Sequence, residues 1–343
     1  MRESLMRIAF YTNNISPHQL PLAHAVARRV GYENFLYVGD AIAWRGTVVD
    51  AGAIAARTRA EAGDELETCD VLYTCQRDLD LLERRAKRGL ATFDYSERWF
   101  KPLGILPGWL RMLVPGYRRM AKRFVVWANG DPGAKVLAVG PWAKKDFLRI
   151  GVKAEKIVNW GYFVAPSERE LKSEVEVEQR NLASSLQLGP GTSTRTLKVL
   201  WVGRSGVGWK REGDIARAVA IANAQHAKAG GDGRAFSFTK MSGASLEEVR
   251  RTMREHDIYV LSSAGEEGWG AALSEALEEG MRALGTYEAG ASAAMLPEER
   301  LYHAGDVKAL AGLLEREARG ELPPCSIGVW TAEKAAERLV DLI

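Results

Sequence analysis

Short apolar runs alternate with amphipathic stretches along most of the chain. Arg7 to Thr12, Phe35 to Val38, Asp70 to Thr74, Leu90 to Asp94 and Lys135 to Val139 read as strands. Leu20 to Val30, Asp78 to Arg88 and Trp142 to Ile150 read as helices on period and charge. From Ser167 the pattern breaks: charge is dense to Gln179, and Gly189 to Arg195 is rich in Gly, Pro, Ser and Thr. The alternation then restarts. Leu197 to Val202, Phe236 to Thr239, Ile258 to Leu261 and Arg282 to Thr286 are the strands, and Asp214 to Gln225, Leu246 to Glu255 and Ala271 to Glu279 the helices between them. A last helix spans Ala332 to Leu342. Strands separated by helices form parallel sheets covered on both faces. The reading is an α/β chain of two doubly wound, Rossmann-like domains facing a central cleft, 1–166 and 197–329, joined by a linker at 167–196 and closed by a helical segment at 330–343.

Composition narrows this little. The chain has 343 residues, 46% of them hydrophobic and 27% charged, enough for two cores. Three cysteines, Cys69, Cys75 and Cys325, are too few for a disulfide framework and lack metal-ligand spacing, which suits a reducing, cytoplasmic setting. The start has no secretory apolar core and no run is long enough to span a membrane, so neither a leader nor a spanning helix is expected. Charge is more telling. Net charge is +3, yet 98–123 holds seven Lys or Arg and no Asp or Glu, which leaves −4 for the rest.

Two loops carry the candidate chemistry. Gly203-Arg-Ser-Gly-Val-Gly-Trp-Lys210 follows a strand; its glycines let a backbone approach a phosphate, and Arg204 and Lys210 add two cations. The phosphate-loop spacing fails, because Trp209 intervenes after Gly208 and Arg211 replaces the hydroxyl that would hold magnesium, so a nucleoside triphosphatase is excluded. As a purely structural feature the same stretch is a glycine-rich turn with solvated charges. The second loop, Glu266-Glu-Gly-Trp-Gly270, leads into a helix carrying Glu275. Free N–H groups point outward at a helix start, and a carboxylate there can accept two hydrogen bonds from vicinal hydroxyls. An exposed acidic helix start would explain Glu266 and Glu267, but not the glycines.

Together these loops resemble glycosyltransferase family 4, the retaining nucleotide-sugar transferases of GT-B architecture. The likeness lies in Val202-Gly-Arg204 with Lys210 six positions on, in Asp257 to Ser263, in Glu267 and Glu275 separated by seven residues, and in Tyr287-Glu-Ala-Gly290. Trp330-Thr-Ala-Glu-Lys-Ala resembles the terminal helix that crosses back to the N-terminal domain. Ser16 to Leu22, Ser96-Glu-Arg98 and Trp160 to Phe163 are similar to bacterial members that build surface polysaccharides.

The resemblance implies roles. Arg204 and Lys210 would hold the diphosphate of a UDP- or GDP-linked donor and stabilise its departure, with no metal ion and no other cofactor. Glu275 would bind the ribose hydroxyls, and Glu267 those of the donor sugar. Gly203, Gly268, Trp269 and Gly270 would line the nucleotide-sugar site. The N-terminal domain would bind a saccharide or lipid-linked acceptor. His18, in the loop after the first strand, is the fourth catalytic candidate, and Asn14 and Glu97 are candidates on the acceptor side. Retention would proceed by front-face attack, so the carboxylate-pair rule of glycosidases does not apply to Glu267 and Glu275. The chain departs from the family in lacking a Gly-rich turn at Asn13 to His18 and an acidic residue at 291–296.

Two features stand outside that pattern. Asp78-Leu-Asp80 has the form of a metal-binding tripeptide, but it opens a charged helix, where Asp is a good cap. The basic stretch 98–123 interleaves cations with Trp, Leu and Ile, which suits peripheral contact with an anionic membrane at its inner face; nothing else in the chain supports nucleic acid. Its bland alternative is a core-packed helix with solvated cations. Two other functions share the scaffold: a nucleotide-sugar epimerase, which would isomerise donor without acceptor, and a non-catalytic sugar- or membrane-binding protein, which would turn over nothing.

Overall fold

The computed structural model describes residues 6–41, 43–44, 47–102, 107–167, 195–229 and 235–343. The chain forms two compact units, one of residues 1–165 with 329–343 and the other of residues 166–328. Most of the expected 167–196 linker lies outside the described residues.

The first unit holds a seven-stranded parallel sheet. Its strands are β1 (Ile8–Asn14), β2 (Phe35–Ala41), β3 (Ala55–Thr58), β4 (Val71–Thr74), β5 (Ala91–Ser96), β6 (Ala134–Val139) and β7 (Ile157–Trp160). They lie in the order β3-β2-β1-β4-β5-β6-β7, so the chain reverses direction across the sheet between β1 and β4. Strands buried on both faces must be apolar nearly throughout, and Ile8 to Tyr11 and Val71 to Tyr73 are all buried. One face carries an aromatic row: Phe10 stacks on Tyr73 with centroids 4.3 Å apart, and Tyr73 stacks on Tyr95 at 4.4 Å. The Tyr73 hydroxyl accepts a hydrogen bond from Trp160 Nε1 at 3.0 Å, so even the polar tip is satisfied.

Helices α1 (Leu20–Val30), α2 (Leu79–Lys87), α3 (Pro115–Gly130) and α4 (Pro141–Ile150) cover this sheet. Phe124 and Trp127 of α3 join Trp99 and Phe147 in the core, so the C-terminal part of the basic stretch is a packed helix on its inward side. Asp78 caps α2, its Oδ1 accepting from Leu81 N at 3.0 Å, and Asp80 pairs with Arg123 at 2.7 Å. Arg85 of α2 is fully buried: it donates through Nε to Thr92 Oγ1, through Nη1 to the carbonyls of Leu66 and Cys69, and through Nη2 to that of Ala91. The chain's last helix also belongs to this unit. It spans Ala332–Asp341, contacts α1 through Arg28 with Glu333, and sets Arg338 over the Trp160 ring at 5.3 Å.

The second unit holds a five-stranded parallel sheet of β8 (Leu197–Val202), β9 (Phe236–Met241), β10 (Ile258–Leu261), β11 (Arg282–Thr286) and β12 (Leu301–Tyr302), in the order β9-β8-β10-β11-β12. Its helices are α5 (Glu212–Lys228), α6 (Leu246–Arg254), α7 (Ala271–Glu278) and α8 (Val307–Ala318), with a short one at Gly290–Met295 before α8. The core under α5 and α8 is built from Val199, Trp201, Ile215, Leu284, Leu310 and Leu314 among others. Here the order reverses between β8 and β10, and in open sheets of this kind ligands bind outside the carboxyl ends of strands at such a switch point.

Arg85 tests the first unit's packing. Replacing it with Met removes one charge and leaves several buried acceptors without donors, each worth about 1–3 kcal/mol. Urea unfolding of Arg85→Met is expected to show a loss of about 3 kcal/mol or more.

Candidate active site

The loops at the switch point of the second unit bring two of the expected residues together. After β8 the chain runs through a glycine-rich segment into a short 3-10 turn, Gly208–Lys210. There the Lys210 ammonium lies 4.5 Å from the centre of the Trp209 ring and forms an ion pair with Glu267. Glu267 comes from the loop after β10, and its Oε2 also accepts a hydrogen bond from Ser263 Oγ at 3.0 Å. Both charged side chains are mostly removed from solvent, Lys210 to 18% exposure and Glu267 to 12%. The loops are also tied by their backbones: Ala264 N donates to Trp209 O at 2.8 Å, and Ser262 Oγ donates to Lys210 O at 2.8 Å.

Two glycines make this possible. A Cβ at Gly290 would stand 2.2 Å from the carbonyl oxygen of Gly268, so the loops after β10 and β11 close on each other only without one. Gly270 opens α7 with φ 99°, and a Cβ there would meet Leu261 at 2.7 Å. Trp269, between them, points inward; it is fully buried and donates from Nε1 to Ser274 Oγ at 3.1 Å. Its carbonyl accepts from Ala291 N at 2.9 Å.

Glu275 lies on α7 and is buried. Burial pushes its carboxyl up to about 7; the Arg250 guanidinium acts against this and the Glu279 carboxylate adds to it. Tyr259, fully buried on β10, lies in the field of both Glu267 and Glu275, and burial together with those two carboxylates raises its phenol. Arg204 is exposed on the loop after β8, and among the described residues no hydrogen bond or ion pair joins it to Lys210 or Glu267. Gly203 closes β8, its N–H donating to Met241 O at 3.1 Å.

The remaining candidates are in the first unit, at the carboxyl ends of its strands. Asn14 ends β1, and its carbonyl accepts from Thr12 Oγ1 at 2.7 Å. His18 is half-buried in the following loop, its backbone N–H donating to Ser16 Oγ at 3.3 Å. Glu97 follows β5; Tyr162 donates to it at 2.9 Å and Lys101 forms an ion pair with it. Nearby, Arg98 lies 3.7 Å from Asp146, and Arg123 holds Asp80 and Glu83. Trp209, Tyr259 and Ser263 were not among the sequence candidates. The polar Ser262-Ser263 closing an apolar strand was the available signal for the last. Among the described residues no group of three or more His, Cys, Asp or Glu is placed to hold a metal ion.

The loops, sheets and switch point define a class of fold, and solved structures share it. No family model matches the chain, and no curated protein matches it in sequence. HepE of Anabaena in complex with UDP is 15% identical, with a TM-score of 0.58 and coverage of 98% of this chain and 97% of that one. The lipopolysaccharide outer core galactosyltransferase WaaB is 14% identical, with a TM-score of 0.63 over 98% and 99%. WaaG, a glycosyltransferase involved in lipopolysaccharide biosynthesis, is 14% identical, with a TM-score of 0.55 over 96% and 99%. The fold is thus that of the GT-B glycosyltransferases, two Rossmann-like units each built on a parallel sheet.

Glu275 supplies a pH test. Its folded-state pKa is raised above the unfolded value, so its contribution is favourable below about 4.5 and is lost as pH rises through about 7. At pH 8 the charged form costs about 3 kcal/mol. Glu275→Gln is therefore expected to gain on the parent protein between pH 5 and pH 8, read as the difference between their melting temperatures at the two values.

Proposed function

We propose that the chain is a retaining, metal-independent glycosyltransferase of the hexosyltransferase type. It moves a sugar from a UDP- or GDP-linked donor to a saccharide or lipid-linked acceptor in bacterial cell-surface polysaccharide biosynthesis. The observation that carries this reading is the Lys210–Glu267 pair, a cation and a carboxylate held side by side at the switch point of a nucleotide-type sheet. HepE, similar in fold, was solved with UDP and with UDP-glucose, which supports a donor of that kind here.

In this reading residues 197–329 bind the donor and 1–166 the acceptor, with 167–196 as linker and 330–343 as the crossover segment. Lys210 and Arg204 hold the diphosphate. As the sugar–phosphate bond breaks, negative charge grows on the leaving oxygen, and a cation already in place stabilises it without reorganisation. Glu267 orients the sugar hydroxyls, and Glu275, once ionised, accepts the ribose hydroxyls. Gly203, Gly268, Trp269 and Gly270 contribute backbone. The acceptor oxygen bonds to the anomeric carbon on the face the phosphate leaves, and its proton passes to the departing phosphate oxygen, so no protein nucleophile is needed. His18, Asn14 and Glu97 serve the acceptor. No metal ion or other cofactor takes part. The protein works in the cytoplasm, with peripheral contact at the inner face of the membrane through 98–123.

A thermal-shift panel of UDP, GDP, ADP and CMP in chelator tests the donor seat. UDP or GDP at about 100 times its dissociation constant adds about 2.7 kcal/mol and raises the midpoint by a few degrees. No shift with any of the four, with or without magnesium, overturns the reading. With the donor so identified, Lys210→Ala is expected to lower kcat/KM about 100-fold or more, and Glu267→Ala to abolish turnover.

A further inference from the structure

Glu97 is the first residue after β5, at the carboxyl edge of the first sheet. Its carboxylate is held from two sides. Tyr162 donates to Oε1 at 2.9 Å, and Lys101 forms an ion pair with Oε2. Tyr162 follows β7, and in the order β5-β6-β7 it reaches past the end of β6 to make this bond. The segment that carries it is anchored before and after. Trp160 is fully buried and bonded to Tyr73. Phe163 packs edge-on against Trp160 at 4.9 Å and stacks on Trp330 at 6.2 Å. Burial and the Glu97 carboxylate hold the Tyr162 phenol well above its usual range, so it meets the carboxylate as a proton donor.

Stability does not explain this arrangement. Glu97 keeps 28% exposure and Lys101 35%, and a pair so open to water adds little to folding. A carboxylate fixed by a packed phenol while still facing water is a preorganised acceptor of hydrogen bonds. Neither charge is saturated by these contacts: the carboxylate has lone pairs left and the ammonium has N–H groups left. Side by side they complement two neighbouring hydroxyls, one donating to Glu97 and one accepting from Lys101. Their charges offset each other, so an anion would gain from Lys101 and lose to Glu97. The neighbouring cation, Arg98, lies 3.7 Å from Asp146.

We propose that Glu97, Lys101 and Tyr162 form a subsite for an uncharged saccharide, read through a pair of vicinal hydroxyls, with Tyr162 as the positioning residue for Glu97. The inference deepens the acceptor role given to Glu97 above and rests on that reading for its purpose. It adds the class of acceptor end that is recognised, a neutral sugar rather than a phosphate.

Saturation-transfer NMR with saccharide probes tests it without turnover. The methyl pyranosides of glucose, galactose and mannose are the neutral probes, and methyl glucuronide and glucose 6-phosphate the anionic ones. At least one neutral probe is expected to bind, and more tightly than either anion. Tyr162→Phe keeps the ring but not the bond to Glu97, and should weaken neutral binding about 10-fold. Glu97→Gln keeps an oxygen for Tyr162 and leaves the Lys101 charge unopposed. It should turn the preference toward the anionic probes, a gain that misfolding cannot produce. Melting temperatures are read for both variants, and if that of Tyr162→Phe falls, the Glu97→Gln reversal decides. The proposal is overturned if no neutral probe binds, or if the anions bind as well as the neutral sugars. It is equally overturned if Tyr162→Phe binds like the parent, or if Glu97→Gln keeps the parent's preference. Saccharide binding without any nucleotide shift overturns the transferase reading and leaves this subsite standing. A nucleotide shift without saccharide binding does the reverse.

Discussion

Parallel strands hydrogen-bonded to neighbours and covered by helices on both faces have only their ends free to meet water. In both large sheets every strand pairing is parallel, so all the carboxyl ends in one sheet lie along one edge. Polar groups that must face a ligand can be placed there without burying an unpaired polar atom in a core. That is where Asn14, His18 and Glu97 fall in the first unit, and Lys210 and Glu267 in the second. The switch points sharpen this: between β8 and β10 successive crossovers leave in opposite directions, and the loops at their carboxyl ends part enough to line a site.

The Lys210–Glu267 pair is a poor device for stability alone. Taking both charges out of water costs several kcal/mol, and their attraction offsets this only if the remaining bonding capacity is used. Here it is used, since Ser263 bonds the carboxylate and Trp209 faces the ammonium. Eight residues on, a second carboxylate is treated in the opposite way: burial of Glu275 pushes its carboxyl up to about 7. One carboxylate is thus held by a cation and a hydroxyl, while burial raises the other.

What the sequence made legible follows from burial. Strands such as Ile258–Leu261 are apolar at every position and stand out between turns. Two edge strands do not: Ala55–Thr58 is half-exposed, and Leu301–Tyr302 has two residues, too few to show a period. Pro115–Gly130 was obscured because its outward cations lie among Pro and Gly in a stretch whose inward face is Phe124 and Trp127. At the site, glycine spacing and the two glutamates were readable because they are local. The partnership of Lys210 with Glu267 spans 57 positions, and that of Glu97 with Tyr162 spans 65; no periodicity encodes either.

One local departure shows how the site's geometry is fixed. Arg211, next to Lys210, is the single non-glycine residue with positive φ among those described, at 53°. A left-handed conformation costs about 1–2 kcal/mol for a residue with a side chain. Glycine would avoid that cost, but glycine could not reach Asp214, which Arg211 Nε bonds at 2.6 Å, nor lie against Gly305 in the loop after β12, where a Cβ would stand 2.8 Å from Arg211 Nη2. Asp214 is itself buried and also holds Arg217. The strained residue therefore ends the turn that carries Lys210, starts α5, and ties the loop after β8 to the loop after β12. Local strain at Arg211 is offset by contacts that keep the neighbouring ammonium where Glu267 can meet it.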